Sequence, residues 1–339
     1  MHLARFNPVR FAHLPTPLEP LPRLTEALMT PGGGGPALWV KRDDCTGLAG
    51  GGNKTRKLEY LLGEALANDA DTLVTQGAVQ SNHVRQTVAA AVRFGLSCEV
   101  ILEARTGSDA VDYIRSGNVL LDELMGAKIR HVPAGTDMTL ALAQVAAEVA
   151  ALGRRPYVIP GGGSNAIGAL GYAECAMELV SQANDMGLEI DRVVTATGSA
   201  GTQAGLVAGL AVMGADIPVL GIGVRAPRDV QEANVFRLAV ETATLLGHAD
   251  RVTREMVVAD CDYVGAGYGI MDEAVIAALK LAARTDALLL DPVYTGKAMK
   301  GLIALSRAGR FDGETVVFLH TGGAQGLFAY QSVMDGHLQ

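Results

Sequence analysis

The stretch RVVTATGSAGTQAGLVAGLAVM, at residues 192–213, decides the fold that the sequence predicts. Its first part, 192–196, is a short apolar run typical of a buried strand. The glycine-rich turn at 197–202 follows, and a helix is predicted over 202–213. A strand that passes through a glycine turn into a helix is typical of open α/β sheets, which bind ligands where their strands end.

Short apolar runs alternate with longer helical patterns along the rest of the chain. Strands are predicted at 71–76, 98–102, 128–132, 157–159, 218–223 and 315–320. Helices are predicted at 81–94, 111–125, 138–152, 166–183, 230–246, 272–284 and 295–308. Continuous apolar strands that alternate with helices predict parallel sheets covered by helices on both faces.

The composition excludes several classes of protein. There are 36 acidic and 28 basic residues, giving a formal net charge of −8, and no basic run, so nucleic acid is not an expected partner. Hydrophobic residues make up 49% of the chain, enough for a large core, which excludes a disordered chain. The cysteines lie far apart without a C-x-x-C pair, and this predicts reduced thiols and no metal site.

One apolar stretch has the length of a membrane span. Residues 204–224 carry a single charge. Asp216 and Pro218 interrupt this stretch, so we expect a helix, a turn and a strand instead. The first twenty residues lack the apolar centre of a signal peptide. We therefore expect a cytoplasmic protein that does not enter a membrane.

Glycine-rich turns are the candidate anion sites, and they lie at 50–54, 161–165, 197–202 and 320–323. Glycines let backbone N–H groups close around a phosphate, and a following helix dipole favours its charge. None of the turns matches the dinucleotide or the triphosphate fingerprint, which disfavours a nicotinamide-dependent oxidoreductase. A plain helix-capping turn remains the alternative for 197–202.

Three cations follow the first of these turns, at Lys54, Arg56 and Lys57. Cations at a helix N-terminus oppose the helix dipole, and a bound phosphate would offset that cost. A lysine near other cations has a lowered pKa and acts as a neutral amine that forms a Schiff base with an aldehyde. Lys54 is the candidate nucleophile, with a solvated helix start as the alternative.

Five motifs together resemble those of the fold type II pyridoxal 5′-phosphate (PLP) enzymes. They are KRDDCTGLAGGGNKTRKLEYLL (41–62), QGAVQSNHVRQTVAAA (76–91), TGSAGTQAG (197–205), DPVYTGKAMKGLI (291–303) and HTGGAQGLFAY (320–330). Within that family the chain resembles the subgroup of 1-aminocyclopropane-1-carboxylate (ACC) deaminase, D-cysteine desulfhydrase and L-cysteate sulfo-lyase. The resemblance implies an α/β fold of the tryptophan synthase β type, with open twisted parallel sheets.

The resemblance also implies a division into two domains. The large PLP-binding domain would combine residues 1–56 with 167–339, and the small mobile domain would span 57–166. The cofactor would lie in the cleft between them. A homodimer is the expected assembly.

The resemblance assigns cofactor-binding roles to individual residues. Lys54 would bind the cofactor aldehyde and move the Cα proton, and Asn82 would bind the ring hydroxyl. Tyr294 would pack on the ring, and Thr295 and Thr321 would lie near it. The phosphate would be held by Lys57 and by the turn made of Thr197, Gly198, Ser199, Ala200, Gly201 and Thr202.

Substrate-binding roles come from the same resemblance. Ser81 would face the substrate, flanked by Gln80 and His83. Tyr294 would also relay protons, and Tyr268 would lie opposite it. Each residue has a structural alternative. For Asn82 the alternative is a helix cap, and for His83 it is a helix residue whose hydrogen bonds are satisfied within the fold. For the two tyrosines it is a half-buried core position.

Two threonines separate the members of the subgroup. ACC deaminase has a glutamate at the position of Thr295 and an apolar residue at that of Thr321. A glutamate at the pyridine nitrogen favours the strong electron sink that opening a cyclopropane needs. The threonines therefore favour α,β-elimination of a sulfur group.

The residue sequence of the motifs most resembles that of the L-cysteate sulfo-lyases, which release pyruvate, sulfite and ammonia. Arg225, after the strand predicted at 218–223, is the candidate partner of the sulfonate, with an ordinary surface position as the alternative. D-cysteine desulfhydrase is the alternative. ACC deaminase and a non-catalytic protein that binds a phosphate ligand are less favoured.

Overall fold

The structure is a computed structural model that describes residues 1–30 and 32–338. Two sheets organise this part of the chain. Their strands are β1 (Leu18–Pro20), β2 (Ala37–Arg42), β3 (Thr72–Ala78), β4 (Ser97–Glu103), β5 (Lys128–Val132), β6 (Pro156–Val158), β7 (Arg192–Thr197), β8 (Val219–Gly223), β9 (Val257–Asp260) and β10 (Thr315–His320).

Helices cover both sheets. They are α1 (Pro22–Leu28), α2 (Lys54–Ala67), α3 (Asn82–Arg93), α4 (Val111–Arg115), α5 (Gly117–Leu124), α6 (Met138–Ala151), α7 (Ala166–Met186), α8 (Gly201–Met213), α9 (Arg228–Leu245), α10 (Glu273–Asp286), α11 (Thr295–Arg307) and α12 (Gln331–Met334). A 3₁₀ segment, Ala324–Tyr330, precedes α12. The alternation of strands and helices confirms the predicted α/β class.

The larger sheet has six strands in the order β1-β2-β10-β7-β8-β9. β1 is antiparallel to β2, and the other neighbours are parallel. β7 leads through the turn 198–200 into α8, which confirms the strand–turn–helix unit predicted at 192–213. The ends of β7 and β10 therefore present their following turns at one edge of the sheet.

The smaller sheet has four parallel strands in the order β5-β4-β3-β6. All four lie between residues 72 and 158, inside the small domain predicted at 57–166. The exact domain limits and the mobility of that domain stay predictions. The carboxyl end of β3 leads directly to α3, and this connection carries the QSNH motif.

Two local predictions differ from the structure. The helix predicted over 111–125 is divided into α4 and α5, because Ser116 is extended and Gly117 has a φ of +57°. Strands β1, β2 and β9 and helix α1 were not predicted. Each of them has three to seven residues, which is too few for an apolar period to stand out.

The long apolar stretch at 204–224 forms most of α8, a turn and β8, as predicted. Within the described residues, no helix has the length and apolar character needed to cross a bilayer.

A buried ionic network holds α2 in place. The Arg56 guanidinium is 1% exposed and donates to both carboxylate oxygens of Asp43 at 2.9 Å and both of Glu178 at 2.9 Å. Tyr172 of α7 also donates to Asp43, at 2.5 Å. Because every donor and acceptor pair is charge-assisted, the network fixes the first turn of α2 against α7 and the N-terminal segment.

Candidate active site

The carboxyl ends of β3, β7 and β10 surround a single cavity of about 470 Å³. The end of β3 contributes Gln76, and the turn after β7 contributes 197–200. Thr321 comes from the residues that follow β10. Ligand sites in parallel α/β sheets lie at this edge, so the cavity is the candidate active site.

A wider groove of about 750 Å³ lies on the surface between α10 and α11. It has an apolar floor with lysines and arginines at its rim, and none of the glycine-rich turns lines it. The groove therefore lacks the convergent polar groups expected of a catalytic site.

Lys54 is the first residue of α2 and lines the cavity. Gly50, Gly51 and Gly52 precede it with φ values of +84°, +74° and +131°, a run that only glycine adopts readily. Burial lowers the pKa of the Lys54 amine to about 8, and the Asp291 carboxylate opposes this shift. The amine is therefore partly neutral near physiological pH, as a Schiff-base lysine requires.

Lys57 lies one helical turn after Lys54 and is fully buried. Its ammonium donates to the Gly162 carbonyl at 3.1 Å and to Ser164 Oγ at 3.3 Å. No carboxylate of the described residues pairs with it, and burial followed by the charge of Lys54 lowers its pKa well below the usual value. Burial without a counter-ion thus disfavours the charged form of Lys57, and a bound anion at this position would restore it.

The turn 198–201 packs closely against Lys57. A Cβ on Gly201 would lie 2.9 Å from Lys57 Nζ and 2.7 Å from Ser164 Oγ. A Cβ on Gly162 would lie 2.3 Å from Ser199 Oγ. Gly201 begins α8, so the turn, the helix N-terminus and the lysine lie together and form a cradle suited to an anion.

The start of α3 brings three predicted residues to the cavity. Ser81 caps the helix by accepting from the backbone N–H of Val84 at 3.2 Å. Asn82 and His83 follow it on the cavity wall. His83 Nε2 lies 2.8 Å from Thr75 Oγ1, and burial, then the charges of Lys54 and Lys57, lowers its pKa well below the usual value. His83 is therefore a neutral imidazole.

Tyr268 and Tyr294 meet at the cavity with their hydroxyl oxygens 2.7 Å apart. Their ring centroids are 5.8 Å apart, and the rings are inclined by 77°. Burial raises the pKa of both phenols. Each tyrosine is therefore protonated at neutral pH, one hydroxyl donates to the other, and the pair can supply a proton to a group in the cavity.

Some predicted residues do not line the cavity. Gln80 donates to the carbonyls of Tyr113 and Ser116 at 2.6 and 2.9 Å and accepts from the Asn118 N–H at 2.9 Å. Its amide holds the junction of α4 and α5 and lies away from the space where a substrate would sit. The local sequence gives no sign of this, because all three partners lie more than thirty residues away.

Thr295 is also placed behind the cavity wall. Its hydroxyl donates to Asp291 Oδ1 at 2.7 Å, and its backbone N–H donates to the same oxygen at 2.8 Å. Asp291 accepts from the N–H groups of Val293 and Tyr294 as well, so this carboxylate caps the start of α11. Of the two threonines that separate the subgroup, only Thr321 lines the cavity.

Arg225 follows β8, lines the cavity and is exposed. No carboxylate within the described residues pairs with it, and its charge slightly opposes the rise in the pKa of Tyr294 that burial causes. Arg105 and Arg237 line the same cavity and were not predicted. Arg105 lies two residues after the end of β4, so its position after a parallel strand was the available signal.

Pyridoxal phosphate fits these residues. The cradle near Lys57 offers donors and positive charge to a phosphate, and the partly neutral amine of Lys54 suits an aldehyde. The buried Gln76 Oε1 lacks a hydrogen-bond partner among the described residues and lies on the cavity wall. The site therefore combines an anion cradle, a reactive amine and an unused polar acceptor.

The chain belongs to the pyridoxal-phosphate dependent enzymes. The sequence profile of that family matches residues 9–322. The protein is therefore an enzyme that uses PLP as its cofactor, and the predicted fold type is confirmed.

Two relatives and one solved structure are similar over nearly the whole chain. The D-cysteine desulfhydrases of Salmonella typhimurium and Salmonella typhi are each 46% identical over 330 residues, covering 97% of this chain and 98% of theirs. A crystal structure of an ACC deaminase homologue is 38% identical with a TM-score of 0.88, covering 98% of this chain and 96% of that one. These relatives favour the predicted alternative, the desulfhydrase, over the sulfo-lyase.

Proposed function

We propose that the protein eliminates a sulfur group from the β carbon of a small amino acid, with D-cysteine as its substrate. The observation that carries the proposal is Lys54, a half-buried lysine that lines a cavity shared with the Tyr268–Tyr294 pair. The names of the similar enzymes support D-cysteine. A hydroxyl at Thr321, where ACC deaminase is apolar, supports elimination over ring opening.

Different residues of this chain would bind the cofactor and the substrate. Lys57 and the turn 198–201 would hold the phosphate of PLP, and Asn82 would hold the ring hydroxyl. Bound PLP supplies an electron sink that stabilises negative charge at the substrate Cα. Ser81, on the cavity wall beside Asn82, would bind the substrate carboxylate.

Protons move between two groups in the proposed reaction. Lys54 Nζ takes the Cα proton, because its lowered pKa leaves the amine free to accept one. The Cβ–S bond breaks, and the sulfur takes the bonding electrons. The Tyr268–Tyr294 pair supplies a proton to the departing sulfur. The enamine product is released and reacts with water, so that D-cysteine and water give pyruvate, ammonia and hydrogen sulfide.

L-Cysteate is a second candidate substrate because of the charge of the cavity. Its lining includes Lys54, Arg105, Arg225 and Arg237 and no aspartate or glutamate among the described residues, although the whole chain carries −8. Arg105 is paired with Glu103 and Arg237 with Glu241, whereas Arg225 has no acidic partner among the described residues. Such a wall suits a substrate whose side chain is itself an anion, as a sulfonate is.

One assay tests both candidates. The holoenzyme is supplied separately with D-cysteine, L-cysteine, L-cysteate and ACC, and pyruvate, sulfide, sulfite and 2-oxobutanoate are measured. Sulfide with pyruvate from D-cysteine supports the proposal, whereas sulfite from L-cysteate alone transfers it to the second candidate. Formation of 2-oxobutanoate from ACC, without a sulfur product, would overturn both.

A further inference from the structure

A buried arginine, Arg85, lies one turn into α3, immediately behind the cavity wall. It is 0% exposed and does not line the cavity. Its guanidinium donates to the Gly51 carbonyl at 2.6 Å, Gln325 Oε1 at 2.7 Å and Asn118 Oδ1 at 2.9 Å. These acceptors belong to three separate parts of the chain, so one side chain joins all of them to α3.

Two of the acceptors, Gly51 and Gln325, belong to or contact the glycine turn that precedes Lys54. Gly51 is its central residue, with a φ of +74°. Gln325, which accepts from Arg85, donates in turn to the Gly50 carbonyl at 3.0 Å. Arg85 and Gln325 therefore hold two successive carbonyls of the turn, and the turn sets the direction in which Lys54 leaves it.

The same guanidinium lies at the start of α3. Its Nη1 is 3.5 Å from Asn82 Oδ1, on the residue that would bind the cofactor ring. Asn82 Nδ2 is also confined on another side, because a Cβ on Gly323 would lie only 2.4 Å from it. Arg85 thus contacts both Asn82 and the turn before Lys54, so the position of Asn82 relative to Lys54 depends on Arg85.

The acceptors of Arg85 are all uncharged. Asp122 of α5 is its main opposing charge, and burial raises the pKa of Asp122 to about 8. Neither Asp122 oxygen nor Arg85 Nε has a hydrogen-bond partner among the described residues. A buried cation without an ionised partner is costly. The three hydrogen bonds from Arg85 to uncharged acceptors therefore indicate a positioning role. If the role of Arg85 were to stabilise the fold, we would expect an ion pair between Arg85 and Asp122.

We propose that Arg85 is a positioning residue for the cofactor site, holding the turn before Lys54, the start of α3 at Asn82 and the 3₁₀ segment at Gln325 in one arrangement. It acts through these neighbours and touches neither substrate nor cofactor. The proposal concerns cofactor binding and is independent of which sulfur amino acid is the substrate.

The test compares Arg85→Met, Arg85→Lys and Gln325→Met with the matched control Arg93→Met, which alters an exposed arginine in the last turn of the same helix. Three quantities are measured: the dissociation constant of PLP from each protein by equilibrium dialysis, the midpoint of the pH titration of the visible absorbance band, and the melting temperature of the apoenzyme.

Loss of a charge-assisted hydrogen bond in Arg85→Met should raise the dissociation constant about ten-fold and shift the titration midpoint. Gln325→Met should change both in the same direction, and Arg85→Lys should restore part of the affinity. The control should match the wild type.

A purely structural role would lower the melting temperature and leave the dissociation constant and the midpoint unchanged in the variants that fold. That result would overturn the proposal. If Arg85→Met does not fold, Arg85→Lys and Gln325→Met decide, and wild-type values in both would equally overturn it.

Discussion

The hydroxyls of Tyr268 and Tyr294 lie 2.7 Å apart at the cavity, on two segments that are 26 residues apart in the chain. Arg105 lies over the Tyr268 ring at 5.5 Å from its centroid. This contact joins the loop after β4 of the small sheet to the segment that carries Tyr268. The hydrogen bond between the two phenols thus lies where both sheets contribute to the cavity.

Removing the Tyr294 hydroxyl tests the role of the pair. Tyr294→Phe should lower kcat about 100-fold, the usual contribution of a positioned proton donor, with the dissociation constant of PLP little changed. Steady-state kinetics and equilibrium dialysis measure the two quantities. Tyr263→Phe is the control, since that ring lies on the groove between α10 and α11. A fall in cofactor affinity equal to the fall in kcat would contradict the relay.

Lys54 should be the only residue that binds the cofactor covalently. Borohydride reduction of the holoenzyme should add the mass of the reduced cofactor to the peptide that contains residue 54. Lys54→Ala should lack this adduct and its elimination activity, because no other cavity residue in the described part of the chain offers an amine. Peptide mass spectrometry makes the measurement, with the exposed Lys128→Ala as control. An adduct on Lys57 would show that the nucleophile is misassigned.

The pKa of Lys54, lowered to about 8 by burial, predicts how the apoenzyme recovers its cofactor. Only the neutral amine attacks the aldehyde, so the recombination rate should rise with pH and level off above about pH 9. Stopped-flow absorbance at a fixed PLP concentration follows the reaction. A lysine with an ordinary pKa would instead give a rate that keeps rising beyond pH 10.

Gly201 leaves no room for a side chain beside Lys57. The Cβ in Gly201→Ala would lie 2.9 Å from Lys57 Nζ, so the ammonium must move away from the phosphate cradle. We expect the dissociation constant of PLP to rise about ten-fold, comparable to losing one charged hydrogen bond. Equilibrium dialysis gives the value. Gly32→Ala, where a Cβ meets nothing within 4 Å, serves as control; equal affinities in the two variants would contradict the cradle.

Asp122 should make the apoenzyme less stable as pH rises. Burial raises the pKa of its carboxyl from 3.8 to about 8, with the charge of Arg85 opposing the shift. Between these two values the folded state keeps a proton that the unfolded state releases, so the contribution of Asp122 to stability falls with increasing pH. In Asp122→Asn this contribution should be absent.

Urea unfolding of the apoenzyme at pH 6 and pH 9 measures the effect. The loss of unfolding free energy between the two pH values should be smaller in Asp122→Asn than in the wild type or in the exposed control Asp109→Asn. An identical loss in all three proteins would mean that Asp122 is ionised in the folded state at both pH values.

Much of the fold could be predicted from local pattern. The apolar run before the turn at 197–202 and the helix after it are coded by residues adjacent in the chain, and the structure has them as β7 and α8. Short elements could not be predicted. β9, for example, is a strand because it pairs with β8, and it is too short to show a period of apolar residues of its own.

The residues of the candidate site, too, could be predicted only in part from the sequence. Motif resemblance selected Lys54, Asn82 and Tyr294, and the structure brings these together at one cavity. It also selected Gln80 and Thr295, whose hydrogen bonds go to the junction of α4 and α5 and to Asp291. The direction of a polar side chain depends on which acceptors lie within reach, and those acceptors are not neighbours in the motif.

The sequence by itself determined the order of strands, glycine turns and helices, because the spacing of apolar residues and the φ freedom of glycine act within a few residues. It also determined that a lysine follows three glycines at the start of a helix. The tertiary structure alone decided that Arg85 reaches Gly51 and Gln325, and that Arg105, Arg225 and Arg237 line one cavity. Burial and long-range hydrogen bonds set those contacts, and both exist only after the two sheets have packed together.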